Sequence, residues 1–463
     1  MADEILEVKY NERLLSEVAV NSKFSNNVLG IVLATKPCFY KLWSVINEAK
    51  KQGLPYIVIN SGQHYDNLVG YGVKEFDLEK EVAIDIQLRG DLSQKSAEIF
   101  LKAKQIHSKL KELNKDLNLV PYVNGDTLTA GLLPAAWMFA SNQRCIQGEA
   151  GLRGMSPSSF IGLKKEISTE KLISSQLESD WVTNRSEPFP EQYDTYTSAA
   201  GCEYFFAPVK LNAEYLIREG YTPERIFTVG NTVVDAVKLK KTQKPQESIF
   251  AQYPALESGE WIRFDIHRRD NLTKQRFMSI IHSIISLAES GKKICMVELT
   301  ATAKAIDYYS LRERLTKLSS THKNFLFTPL WKEYSQVMEF TNSPHCSLIV
   351  TDSGSMQEEM NELNKPCLTV RFNTDRPETV FEGKTNLLAP PLTDKILIDL
   401  VNYVVDHDYF ARVKDSKKLY GNEVGKKIVK QVSQIFQERP AMFSWAHEEL
   451  KIYKEKDSTI NYL

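Results

Sequence analysis

Short apolar runs alternate with longer helical stretches along most of the 463-residue chain, and they do so in two successive sets. The first set is VLGIVLAT (28–35), PYIVIN (55–60), VAIDIQL (82–88), VPYVNGD (120–126), RCIQGEA (144–150), YFFAP (204–208) and IFTVG (226–230). The second is WIRFDIH (261–267), KKICMVEL (292–299), NFLFTPL (324–330), CSLIVTD (346–352) and CLTVRF (367–372). Nearly continuous apolar runs suit strands buried on both faces. Between them lie helical patterns such as 93–114, where Ile99, Ala103, Ile106 and Leu110 share one face. This alternation specifies an α/β fold with parallel sheets covered by helices, and two sets specify two doubly wound, Rossmann-like domains.

The seam between the sets falls near Gly230–Asp235. That divides the chain into an extension (1–27), a first domain (28–233), a second domain (234–399) and a helical tail (400–463). Near its end the tail carries FSWAHEELKIYKEK, whose aromatic and charged residues suit packing back on the first domain. Residues 154–189 are rich in Ser, Lys and Glu with little period, and read as an insertion in the first domain.

Composition narrows the partners. Basic and acidic residues number 58 and 59, for a net charge of −1. Nucleic acid or an anionic membrane is therefore not expected as the main partner. No run of about 18 apolar residues suggests a membrane span. The start, MADEILEVKYNERLLSEV, lacks a basic region followed by an apolar stretch. Six scattered cysteines without a CxxC pair read as inert thiols, which suits the cytoplasm. No Walker P-loop, HExxH or GxSxG motif occurs.

In open α/β sheets, ligands bind outside the carboxyl ends of the strands. Polar clusters stand there: Thr35-Lys36-Pro37, Ser61-Gly62-Gln63-His64, Gly125-Asp126-Thr127, Gly148-Glu149-Ala150-Gly151-Leu152-Arg153, His267-Arg268-Arg269-Asp270 and Asp352-Ser353-Gly354-Ser355. Each alone reads equally as a capped turn; their concentration at one edge is the stronger argument. The segment 351–366 predicts a strand, a tight turn at Ser353-Gly354-Ser355 and a helix. Its first amides and the Ser353 hydroxyl suit an anion, and Glu359 suits ribose hydroxyls. A capped helix with a solvated acidic face is the competing reading. His267, Arg268 and Arg269 suit phosphate or form an exposed basic turn. Asp126 and Glu149, on successive strand ends, suit proton transfer on either face of a sugar ring.

In order, ATKPC (34–38), GQH (62–64), GDT (125–127), EAGLR (149–153), PE (190–191), GNTVVDA (230–236), IHRRD (266–270), DSGSMQEE (352–359) and DRPE (375–378) resemble the motifs of the UDP-N-acetylglucosamine 2-epimerases. The resemblance runs from about residue 28 to 390. It implies the two-domain GT-B fold, with UDP held mainly by the second domain and the sugar at a cleft between the domains. It implies Asp126, Glu149 and Glu191 as acid–base carboxylates and His267 as the group steadying the departing phosphate. It implies Lys36, Arg153, Arg268, Ser353, Gly354, Ser355, Glu359 and Arg376 as substrate-binding residues. The implied reaction eliminates UDP to a 2-acetamidoglucal and adds it back with C2 inverted. Acids and bases suffice for it, so no metal or other cofactor is implied. The implied partner is a UDP-sugar, and a homodimer is compatible with the reading. Rivals are a hydrolysing epimerase that frees N-acetylmannosamine, a GT-B glycosyltransferase and a non-catalytic UDP-sugar binder.

The chain departs from the pattern. Lys36 stands where the family has Arg, and it lacks the bidentate fork. Cys38 replaces an acidic residue, and Ser355 replaces the second Gly of DSGG. After Pro190-Glu191 the usual Glu, Asn and Arg become Gln192, Asp194 and Thr195.

Overall fold

The computed structural model describes residues 7–63 (except 19 and 21), 74–438 (except 408, 410, 412, 414 and 415), 443 and 450. The chain forms two compact units. Unit 1 comprises Met1–Leu152, Pro190–Asp235 and Gly421–Leu463; unit 2 comprises Arg153–Phe189 and Ala236–Tyr420.

Unit 1 is built on β1 (Lys9–Tyr10), β2 (Asn27–Leu33), β3 (Tyr56–Asn60), β4 (Val82–Asp85), β5 (Asn118–Asn124), β6 (Cys145–Gly148), β9 (Cys202–Ala207) and β10 (Ile226–Thr228). Two strands between them in sequence, β7 (Met155–Pro157) and β8 (Trp181–Thr183), pair antiparallel in unit 2. The unit 1 sheet runs β1-β4-β3-β2-β5-β6-β9-β10. All its pairings are parallel except β1 with β4. The chain winds outward from β2 through β3 to β4, then returns to β5 and winds the other way. The order therefore reverses between β2 and β5, which is where such sheets open a crevice for ligands. Val28, Val32, Ile57, Ile59 and Val123 form one core with Ile99, Ala103, Ile106 and Leu110 of the helix Leu92–Leu113.

Unit 2 adds β11 (Trp261–Asp265), β12 (Ile294–Glu298), β13 (Phe325–Pro329), β14 (Cys346–Thr351), β15 (Cys367–Thr369) and β16 (Asn386–Leu388). Its order is β13-β12-β11-β14-β15-β16, all parallel. The reversal here lies between β11 and β14. Ile262, Phe264, Met296, Leu348 and Val350 pack with Ile280, Ile281 and Ile284 of the helix Lys274–Glu289.

Residues 153–189 differ from the expected excursion of the first domain: they pack into unit 2. Met155 and Thr374 exchange two backbone hydrogen bonds of 2.8 Å. Leu172 and Ile173 of the helix Thr169–Glu178 join the unit 2 core. The Gln176 amide donates to the Leu388 carbonyl at 2.9 Å and accepts from the Leu388 N–H at 2.7 Å. It thereby closes the open edge of β16. The stretch beyond 400 also divides. The helix Asp394–Asp406 packs on Lys274–Glu289 in unit 2, whereas Val424–Glu438 packs on Lys36–Gln52 in unit 1. Gly425 allows that second contact, because a Cβ there would meet Ser44 Oγ at 2.6 Å. Most of the segment FSWAHEELKIYKEK lies outside the described residues. Among the described residues, no helix is long and apolar enough to cross a membrane.

Candidate active site

In unit 1 the expected residues gather at the carboxyl ends of β2, β5 and β6. Lys36 opens the helix Lys36–Gln52 directly after β2. Asp126 follows β5 on a turn made by Gly125, whose φ is +78°. A Cβ on Gly125 would come within 3.1 Å of Glu149 Oε2, so glycine keeps the Asp126 turn and Glu149 close. Gly148 is needed for the same kind of reason: a Cβ there would overlap the Tyr122 hydroxyl and Asn124 Oδ1. Glu149 itself has φ +51°, a left-handed conformation that costs a non-glycine residue on the order of 1 kcal/mol or more. Such strain gathers at functional sites.

The Glu149 carboxylate is buried and accepts from Lys41 Nζ at 2.5 Å. Lys41 is buried too, although its place inside a helix carries no sequence signal of that role. Asp126 and Glu191 are half-buried. Glu191 begins the helix Glu191–Ala200, and Asp194 follows one turn later, fully buried. Burial first, then the charges of Asp126 and Glu191, push the Asp194 carboxyl up to about 8. Gln63 ties the end of β3 to this edge by accepting from the Thr129 N–H and hydroxyl at 3.0 and 2.8 Å. His64 lies outside the described residues. Arg153 is buried at 2% exposure and belongs with unit 2.

In unit 2 the expected residues meet at the reversal between β11 and β14, and Asp352 organises them. Its carboxylate accepts from the backbone N–H of His267 (3.0 and 3.1 Å), from that of Arg268 (2.9 Å) and from the Asn271 amide (3.0 Å). His267 Nδ1 also lies 2.9 Å from Asp352 Oδ1. Burial opposes the Asp352 charge. His267 and the amides of Arg268 and His267 outweigh it and hold the carboxyl below its usual range. Both basic residues are thus fixed by their backbone, leaving the imidazole part-exposed.

Ser353 caps the helix Gly354–Leu363, accepting from the Met356 N–H. Ser353 and Ser355 are half-exposed at that N-terminus, where amides and the helix dipole favour an anion. A Cβ on Gly354 would fall 2.6 Å from Arg376 Nη1, so the turn rests directly on that guanidinium. Arg376 is buried at 1% exposure. It donates to Glu358 at 3.1 Å and pairs closely with Asp375. Arg376 therefore supports the turn from within. Glu359 is likewise buried, at 2% exposure. Among the described residues, no group of three His, Cys, Asp or Glu is arranged to hold a metal ion.

Residues 182–433 match the family model for UDP-N-acetylglucosamine 2-epimerase. The chain belongs to that family. The family's isomerase of Methanocaldococcus jannaschii is 27% identical over 378 residues, covering 80% of this chain and 90% of that protein. The crystal structure of the M. jannaschii enzyme with UDP-GlcNAc and UDP superposes with a TM-score of 0.70 at 25% identity, over 88% of this chain and 99% of that one. The Neisseria meningitidis enzyme bound to UDP-GlcNAc gives 0.69 at 21% identity, over 88% and 98%. The fold is GT-B, as the motifs imply, and the family is one of isomerase enzymes.

Proposed function

We propose that this chain is a UDP-N-acetylglucosamine 2-epimerase that keeps UDP through the reaction. A carboxylate takes the C2 proton. The C1–O bond to UDP breaks with its electron pair leaving on UDP, and C1=C2 forms in a 2-acetamidoglucal. A second carboxyl delivers a proton to the opposite face of C2 while a UDP oxygen attacks C1. Asp126, Glu149 and Glu191 serve as the acid–base groups. His267 steadies the departing phosphate, aided by Arg268, and Ser353 with the helix N-terminus receives the diphosphate. Glu359 serves the ribose, and Lys36, Arg153 and Ser355 bind substrate.

The observation that carries the reading is the half-open pair Asp126 and Glu191, two carboxyls near enough to act on one buried neighbour. Inverting a carbon needs a base and an acid of that kind. The M. jannaschii relative, crystallised with UDP-GlcNAc and UDP, supports the choice of substrate. The free, buried state of all six cysteines supports a reducing cytoplasm.

In deuterated water the enzyme should place deuterium at C2 of the UDP-sugar pool and form UDP-N-acetylmannosamine. Free N-acetylmannosamine accumulating without the UDP-linked epimer would replace this reading with the hydrolysing one. Transfer to an added acceptor without exchange at C2 would end it.

A further inference from the structure

Glu191 and Asp194 stand one turn apart on one helix, so their side chains share a face. Glu191 is half-open, as is Asp126 on the β5 turn. Asp194 has no exposed surface, and neither of its oxygens has a hydrogen-bond partner. Gly131 fixes its place: a Cβ there would fall 2.7 Å from Asp194 Oδ1 and 2.9 Å from its Cα. Only glycine lets the helices Leu128–Ser141 and Glu191–Ala200 meet at this point.

Among the described residues, no neighbouring element is seen to neutralise Asp194. The helix Leu128–Ser141 carries no ionisable side chain. Strand β9 brings Cys202, Tyr204 and Glu203, and Glu203 is held by Arg225 at 3.1 Å and Arg144 at 3.9 Å. On its own helix, the Thr195 hydroxyl donates to the Gln192 carbonyl at 2.9 Å, and Tyr193 is exposed. Among the described residues, the charges that act on Asp194 are Asp126 and Glu191, both negative. With like charges acting on it and water shut out, Asp194 is the carboxyl of the three that keeps its proton.

We propose that Asp194 is a positioning residue that sets the charge of this acid–base group: neutral, it lets Asp126 and Glu191 work as a pair; ionised, it disables them. The proposal rests on the epimerase reading for what the pair does. A third negative charge beside C2 opposes removal of a proton from it and so destabilises that transition state. Activity therefore falls on the alkaline side, with an apparent pKa that belongs to the cluster as a whole.

Two measurements test this. The first is the pH profile of kcat/KM for C2 exchange, in which one lost proton gives a fall of about tenfold per pH unit. Asp194→Asn mimics the neutral acid and cannot ionise. It should raise the ratio of kcat/KM at pH 9 to that at pH 7 by about tenfold, with KM unmoved. An unchanged alkaline limb in a folded Asp194→Asn protein overturns the proposal, since a purely structural residue would scale the whole profile. The second uses the ligand-free wild-type protein with carbon-13-labelled aspartate. Its infrared spectrum should show a protonated-carboxyl band at pH 7 that disappears as pH rises past 8. Asp352 and Asp375 are held ionised there. Absence of the band at pH 7 overturns the proposal. That measurement needs neither variant nor substrate, so it separates failure of this proposal from failure of the epimerase reading.

Discussion

Asp126 and Lys41 show which residues declare themselves in sequence. Asp126 follows an apolar run and a glycine, and that position alone puts it at a strand's carboxyl end. His267 and Ser353 are legible for the same reason. Lys41 and Asp194 sit inside helices, where a polar residue ordinarily faces water. Their surroundings come from residues distant in sequence: Glu149 pairs with Lys41, Gly131 packs on Asp194, and the charge of Asp126 acts on it. No local period reveals such partners. Asp352 was visible as a strand end, but its role as acceptor for the 267–271 turn arises only once β11 and β14 pair. A chemical prediction belongs at this scale. Asp126→Asn keeps the size of the side chain and removes its capacity to take a proton. Turnover should fall by roughly 10²–10⁴-fold, the usual worth of a general acid or base, while calorimetry finds UDP binding retained. Near-normal turnover would make Asp126 a turn residue only.

Among the elements, the parallel strands were legible because both faces are covered and their apolar runs are nearly unbroken. Short elements outside such runs were not. β1 is two residues long, β16 three, and β7 pairs three residues with three of β8. Such lengths give no period to read, and long-range pairing defines them. The same holds for 153–189, whose scarce apolar residues gave no sign of which unit they would join. Leu172, Ile173 and Gln176 decide it in three dimensions, each buried in unit 2. The segment should therefore matter to stability. Gln176→Leu fills similar volume but leaves the Leu388 N–H and C=O unpaired in a buried setting. Each buried group left without a partner costs about 1–3 kcal/mol. Thermal unfolding should show the unit 2 transition lowered by several degrees. Unchanged melting would mean that the β16 edge does not depend on this helix.

At the scale of the whole molecule, buried carboxyls make stability depend on pH in opposite directions. Asp352 and Asp375 are held below the ordinary aspartate value of 3.8 by His267 and by Arg376, Arg371 and Arg268, against the effect of burial. Their contribution is present above that value and is lost as pH falls through their lower, folded-state values. Glu378 behaves the other way. It is fully buried, and burial, assisted by Glu358, pushes it from 4.5 up to about 7, despite a 2.6 Å hydrogen bond from the Tyr420 hydroxyl and the charge of Arg376. The folded protein holds that proton after the unfolded chain has released it. Stability is then full below about 4.5 and declines until pH 7, where the deficit levels off. Glu378→Gln keeps an oxygen for Tyr420 and removes the titration. The variant's melting temperature relative to wild type should climb between pH 4.5 and 7 and stay level above it. At roughly 2–4 °C per kcal/mol for a unit of this size, the climb amounts to several degrees. The two units carry separate cores, so the unit 1 transition should not follow it. A melting difference that is flat across this range would mean that Glu378 titrates as an ordinary carboxyl.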